Sequence, residues 1–561
     1  MTKKSHHQVS SALSGITLII LLLYAMGVKP ADAQLKNYVM SSSLDITTPV
    51  PVTDESVYFN IFYAESIWNL DEAIVHKQTS PPNILAARGE KEHLQIILLP
   101  IDRKRTISFK ISDFKDSQGN AISNANATLR TVEKIEDKED VLLPASAVVV
   151  DAERRFIWLS IHVPLDAVPG NYTAIITLTD NVKSLEKEIK LQVLDVRLPI
   201  RPSIPAVIAV RGEGTTLSLQ KQLGLPAGSE QLKEKMAEYM DFLINYRISP
   251  FVCNWMDNKQ VDTYTSPWPL YDARSKKYLD DPRITYMALP FVKRSDRTYL
   301  GFDTTELRKN MEALRQAAAP KKGYVYVEDE PNVPERYNIA KDHVRVIHES
   351  ASDCIALTTF YTGYNQTLEV EDLKGIPRFF GNNGKQIYAF VQWAWRGNYN
   401  TAEAVGAGLD HDNEEMWLYI TGGMGTHPNF TFSASGIQNR AIIWRVWREG
   451  GTGFLYWVAN SLVVNSDKKL ELYQSNGNGV LVYPGDFYGT SGPLASCRLE
   501  RWLDGMEDYE YLTIIKNKIG KAAADLKLET FFTLPTTTVS YFPGTSALRD
   551  LKLYVNSLVV N

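Results

Sequence analysis

At Leu198-Pro199 the hydrophobic period of this chain changes, and that change limits the folds open to it. Before the joint, residues 105–111, 147–150, 156–163, 172–179 and 189–193 alternate apolar and polar side chains, the period of half-buried strands. Pro169-Gly170-Asn171 is a turn signal between two of them. Little there reads as helix, so a β-sandwich is predicted over 34–198. Beyond Pro205 the pattern is different. Residues 204–210, 249–255, 286–292, 324–327, 354–361, 386–393, 416–420 and 453–458 read as strands. Amphipathic runs lie between them: Met236, Tyr239, Met240 and Leu243 share one helical face, and 437–448 reads as a late helix. Eight strand–helix units over about 260 residues match the size of a (β/α)8 barrel, predicted over 199–515, with a helical extension over 516–561.

The fourth barrel strand runs straight into Glu328, Asp329 and Glu330, followed by Pro331. Adjacent acids repel one another and are costly to bury without partners. In a barrel, acids at the C-terminal end of a strand sit where such enzymes keep their chemistry. Strict alternation would put Glu328 and Glu330 on one face and Asp329 on the other. Either Asp329 and Glu330 lie just past the strand, where Pro331 ends the ladder and holds Glu330 extended, or Glu328 and Glu330 are the working pair. Other strand ends offer Asn254, Trp255, Tyr361, Trp393, Trp395 and Trp457 as substrate contacts. Each aromatic suits a core as well as the apolar face of a sugar. The same two readings apply to the chain's 11 Trp and 28 Tyr.

A net charge of -5 argues against nucleic acid as the main ligand. Cys253, Cys354 and Cys497 are widely spaced, and no Cys/His cluster has metal-ligand spacing. Lys3 and Lys4, an apolar run over 16–26 and Ala31-Asp32-Ala33 lay out a secretory signal peptide over 1–33. The run is shorter than the roughly 18 residues of a spanning helix. Export to the periplasm or the outside is expected, with no membrane span after cleavage; an uncleaved anchor is the alternative. The acidic run Glu507 to Glu510 falls on a predicted helix over 494–519, near Arg498 and Arg501, and is read as structural.

Three stretches together carry a resemblance. They are Leu85-Ala86-Ala87-Arg88-Gly89-Glu90, Asp329-Glu330-Pro331, and Arg498-Leu499-Glu500 followed by Asp504-Gly505-Met506-Glu507-Asp508-Tyr509-Glu510-Tyr511-Leu512. The chain resembles bacterial proteins with the glycoside hydrolase family 123 catalytic domain, also filed as domain of unknown function 4091. The resemblance implies a β-sandwich and a (β/α)8 barrel. It also implies removal of terminal β-linked N-acetylgalactosamine from a glycan or glycoconjugate; no cofactor and no metal are expected. The sugar's own 2-acetamido oxygen would be the nucleophile, with Asp329 orienting it and Glu330 as acid, then base; the resemblance assigns no role to Glu328, which stays a possible accessory acid. A glycosidase for another sugar, such as N-acetylglucosamine, or a non-catalytic carbohydrate-binding surface protein are the other readings.

Overall fold

The computed structural model describes residues 59–100, 104–180, 182–255, 262–290, 304–381, 384–392, 399–422, 427–532 and 545–560. The leader segment therefore lies outside the described residues. Among those described, no helix is long and apolar enough to cross a membrane.

Residues up to Arg197 are rich in β-structure and form two sheets. One has the order Phe59–Glu65, Lys91–Pro100, Arg155–His162, Ala127–Ile135, Lys138–Pro144. The other has the order Ile84–Arg88, Ser184–Arg197, Gly170–Thr179, Arg105–Ile111, Ala147–Val150, with its first two strands parallel. Alternation gives each strand one apolar face. From both sheets those faces meet in one buried cluster that includes Leu94, Ile96, Phe109, Leu159, Tyr172 and Ile176. A short helix, Leu70–Val75, departs from the all-strand expectation. Asn69 Oδ1 accepts the Glu72 N–H at 2.9 Å while the Glu72 carboxylate accepts the Asn69 N–H at 2.8 Å. That reciprocal cap starts a helix too short for hydrophobic periodicity to reveal.

From Ala206 strands and helices alternate. The strands are β1 (Ala206–Arg211), β2 (Ser249–Trp255), β3 (Tyr286–Ala288), β4 (Lys322–Glu328), β5 (Ile355–Phe360), β6 (Gln386–Val391), β7 (Glu414–Ile420) and β8 (Gly453–Tyr456). They pair in parallel in the order β2-β1-β8-β7-β6-β5-β4-β3. The two ends of the series approach through Ser249 Oγ, which accepts the Thr285 N–H at 2.9 Å, so the barrel is nearly closed. Helices α1 (Glu230–Ile244), α2 (Thr304–Arg315), α3 (Pro334–Ser350), α4 (Val370–Phe380), α5 (Tyr399–Gly406) and α6 (Gly436–Arg448) fall between the strands. Strands β1, β5 and β6 are buried along their whole length, as expected of parallel strands covered on both faces. The glycine-rich stretch 476–492 contains the strand Val482–Pro484 and a 3-10 turn, Gly485–Tyr488. Val482–Pro484 pairs with Pro493–Ala495, a partner that the glycine-rich local sequence does not show.

Helix α7 (Cys497–Ile519) carries the acidic motif, and the structure makes it the hub of the fold. Its acids are buried rather than solvated, and their partners come from elsewhere in the chain. Glu500 accepts from Tyr246 at 2.9 Å, from Lys91 at 3.0 Å and from Arg130. Asp508 takes a two-pronged contact from Arg440 at 2.6 and 2.8 Å, and Glu510 accepts from Ser203 and Arg247. Glu90 of the first motif accepts from Tyr511 and from Lys552 of α8 (Thr545–Val560) at 2.7 Å each. A Cβ on Gly505 would lie 2.3 Å from the Arg440 carbonyl oxygen, so only glycine lets α6 and α7 approach this closely. Arg498 ties the β-rich region to the barrel: Asp140 and the carbonyls of Phe430 and Gly477 all accept from it. Arg498→Met leaves the Asp140 carboxylate buried without its cation. It is expected to lower unfolding free energy by about 3–5 kcal/mol, read from urea denaturation.

Candidate active site

The acidic strand does not end as a regular strand. Pairing with β5 slips by one residue between Tyr326 and Glu328, so Val327 is an extra residue on β4 just before the acids. Three residues after Val327, Glu330 has φ of 48°, in the left-handed region. The expectation that Pro331 holds Glu330 extended therefore fails. A left-handed non-glycine residue costs on the order of 1–3 kcal/mol and persists only where its surroundings over-determine it. Thr359 Oγ1 accepts the Glu330 N–H at 3.1 Å. Arg336, from the first turn of α3, donates to the Glu330 carbonyl at 3.0 Å and also to the Asp329 carbonyl. The same guanidinium pairs with Glu328, which is 2% exposed.

Bulge and turn together change which way the acids face. Asp329 and Glu330 both line one cavity of about 320 Å³ at the C-terminal end of the barrel strands. Glu328 is not among its lining residues and is held in its ion pair behind the turn. Asp329 Oδ1 accepts from the hydroxyls of Tyr326 and Thr359, each at 2.9 Å, while Oδ2 takes no hydrogen bond from the described residues. Glu330 Oε1 accepts from the buried hydroxyl of Tyr419 at the end of β7. Burial pushes the Glu330 carboxyl above the usual carboxylate range; the charge of Asp329 adds to this, and the Tyr419 hydrogen bond and Arg336 oppose it. A carboxyl that stays neutral to higher pH thus sits beside Asp329, so one group can give a proton while the other holds a dipole.

Of the aromatic candidates, Trp457 lines the cavity. Tyr361 lies just past β5, 41% exposed; partial burial raises its hydroxyl's pKa, and the charge of Glu330 adds to this. Asn254 accepts the Glu213 N–H at 3.0 Å and is not among the lining residues. The side chain of Trp255, and Trp393 and Trp395 entirely, lie outside the described residues. The remaining lining includes Arg211, Tyr326, Thr359, Tyr419, Gln474 and Asn478, none of which the sequence singled out. Tyr326, Thr359 and Tyr419 stand at strand C-terminal ends, the one signal that could have found them. Among the described residues no group of His, Cys, Asp and Glu could hold a metal ion.

The family model "Glycoside hydrolase 123, catalytic domain" matches residues 241–515, the segment that contains both acids and Trp457. Among solved structures, a family 123 glycoside hydrolase from Clostridium perfringens, described for glycolipid glycan hydrolysis, is similar at 12% identity. The match covers 90% of this chain and 97% of that one, with a TM-score of 0.58, and shows a shared fold. A β-glucuronidase from Bacteroides uniformis matches at 11% identity over 76% of this chain and 51% of that one, with a TM-score of 0.28, too low to carry an argument. Comparison with curated proteins finds no match. Residues 241–515 of this chain thus match the glycoside hydrolase family 123 catalytic domain, and the chain shares the fold of a family 123 enzyme.

Proposed function

We propose that the protein is an exported, exo-acting glycosidase that removes terminal β-linked N-acetylgalactosamine with retention of configuration, on a (β/α)8 barrel preceded by a β-sandwich. The observation that carries this reading is the placement of Asp329 and Glu330 in one small cavity, with Glu330 biased toward its neutral form. The cavity volume is at the low end of ligand pockets, about 300–1,000 Å³, which suits one terminal sugar.

In this mechanism the acetamido oxygen attacks C1 as the C1–O glycosidic bond breaks. Asp329 Oδ2 accepts the acetamido N–H, which aligns the group and balances the positive charge of the forming oxazolinium ion. With Tyr419 donating to Oε1, the Glu330 proton resides on Oε2 and passes to the leaving oxygen. Water then adds to C1, giving a proton back to Glu330, and the ring-closed intermediate reopens. Screening the purified protein on aryl β-glycosides with and without the 2-acetamido group tests this. Turnover of only the acetamido sugars supports it; equal turnover of the plain glycosides, or none of either, overturns it.

The proton inventory sets the pH dependence. Glu330 must be protonated in the first step, so kcat/KM falls as pH rises through its raised pKa. Tyr419→Phe removes a bond that favours the charged form, so this alkaline limb should move to higher pH. A pH–rate profile with the limb unmoved, or moved to lower pH, would contradict the assignment. Export predicts that residues 1–33 are missing from the mature protein; mass spectrometry that recovers Lys3 or Lys4 peptides from exported protein would refute it.

A further inference from the structure

The wall facing the acids is built around a buried cation. In the ring of strands β4 and β8 stand four steps apart in either direction, so Trp457, just past β8, faces Asp329 and Glu330 across the barrel. Next to it Arg211 ends β1, only 2% exposed, with its side chain lining the cavity. The position of this residue is tightly built. Asn460 Oδ1 accepts the Arg211 N–H at 2.8 Å, and Asn460 Nδ2 donates to the Arg211 carbonyl at 3.2 Å. A Cβ on Gly212 would lie 2.4 Å from Asn254 Oδ1 and from Met236 Cε, which locks the turn after the strand. The guanidinium lies 5.3 Å from the Trp457 ring centre. Asn478, held by Tyr456 at 2.9 Å, donates to Gln474 at 3.0 Å on the same wall. Arg211, Asn460, Gln474 and Asn478 were assigned no role by sequence, and Arg211 precedes the segment matched by the family.

A guanidinium has donors and no acceptor, so it reads oxygen lone pairs. In a pyranose ring C4 is the carbon opposite C1. A sugar with C1 at the acids therefore presents its 4-oxygen to the wall opposite. We propose that Arg211 is a specificity-determining residue that recognises the 4-hydroxyl of the terminal amino sugar. The substrates are then glycans whose non-reducing end is a hexosamine unsubstituted at O4. This rests on the reading that C1 lies at Asp329 and Glu330.

The test compares aryl β-N-acetylgalactosaminide with its 4-deoxy analogue on the full protein. It uses wild type, Arg211→Lys, Arg211→Met and Trp457→Phe, with melting curves to check folding. A charge-assisted hydrogen bond is worth about 10- to 100-fold, so wild type should favour the 4-hydroxy substrate by that factor in kcat/KM. Arg211→Met should lose the preference, the two substrates being cleaved at nearly equal kcat/KM by a folded variant. Arg211→Lys should retain part of it, and Trp457→Phe should weaken it. Equal wild-type activity on both substrates overturns the proposal without any variant, as does full preference in a folded Arg211→Met. Wild type that cleaves neither amino sugar refutes the placement of C1 itself, and the proposal falls with it.

Discussion

Glu330→Gln is expected to lower kcat/KM by about 10²–10⁴-fold on a substrate with a poor leaving group, the usual contribution of general acid catalysis. The substitution is clean in this site. A glutamine carbonyl still accepts from Tyr419, and the backbone anchors through Thr359 and Arg336 do not involve the side chain. Only the proton is lost. On an activated aryl leaving group, which departs without protonation, the loss should be much smaller as long as the first step limits the rate. Steady-state kinetics on an oligosaccharide and on a nitrophenyl glycoside separate the two cases. Equal losses on both would remove Glu330 from the acid role.

Asp329→Asn should lower kcat by about 10²–10³-fold, the scale of losing one preorganised charge-stabilising group, while KM changes less. The Asn carbonyl keeps the Tyr326 and Thr359 hydroxyls as partners, but an amide N–H₂ replaces Oδ2 and meets the acetamido N–H as a second donor. A thiazoline analogue of the cyclised intermediate should inhibit wild type and bind the variant less well. Removing the Asp329 charge also removes one cause of the raised Glu330 pKa, so the alkaline limb should move to lower pH, opposite to Tyr419→Phe. A covalent sugar trapped on Asp329 by a fluorosugar would show an enzyme nucleophile and end the substrate-assisted reading.

The strands of the barrel were legible because each carries its own apolar run. Local periodicity places β2 to the residue and β5 within one residue at each end, and it shows a β-rich segment ahead of the alternating one. The acids at the end of β4 were legible for a related reason. Three adjacent carboxyl groups after a buried run have no cheap structural use. The helix over 497–519 was also legible, but the burial of its acids was not. Their partners, Lys91, Arg130, Ser203, Tyr246, Arg247 and Arg440, lie up to more than four hundred residues away in sequence.

What the sequence by itself determined was the inventory of the barrel: which segments are its strands, and which carboxyl groups end the fourth strand. What only the tertiary structure decided was direction and company. Alternation would have separated Asp329 from Glu330. The extra residue at Val327 and the left-handed Glu330 put both in one cavity, because Thr359 on the neighbouring strand and Arg336 on the following helix hold a backbone shape that local preference disfavours. Tyr419, Arg211 and Trp457 reach that cavity from three other strand ends. Closing a sheet into a barrel brings distant strand ends to one point, and no local pattern in a sequence records which side chains will meet there.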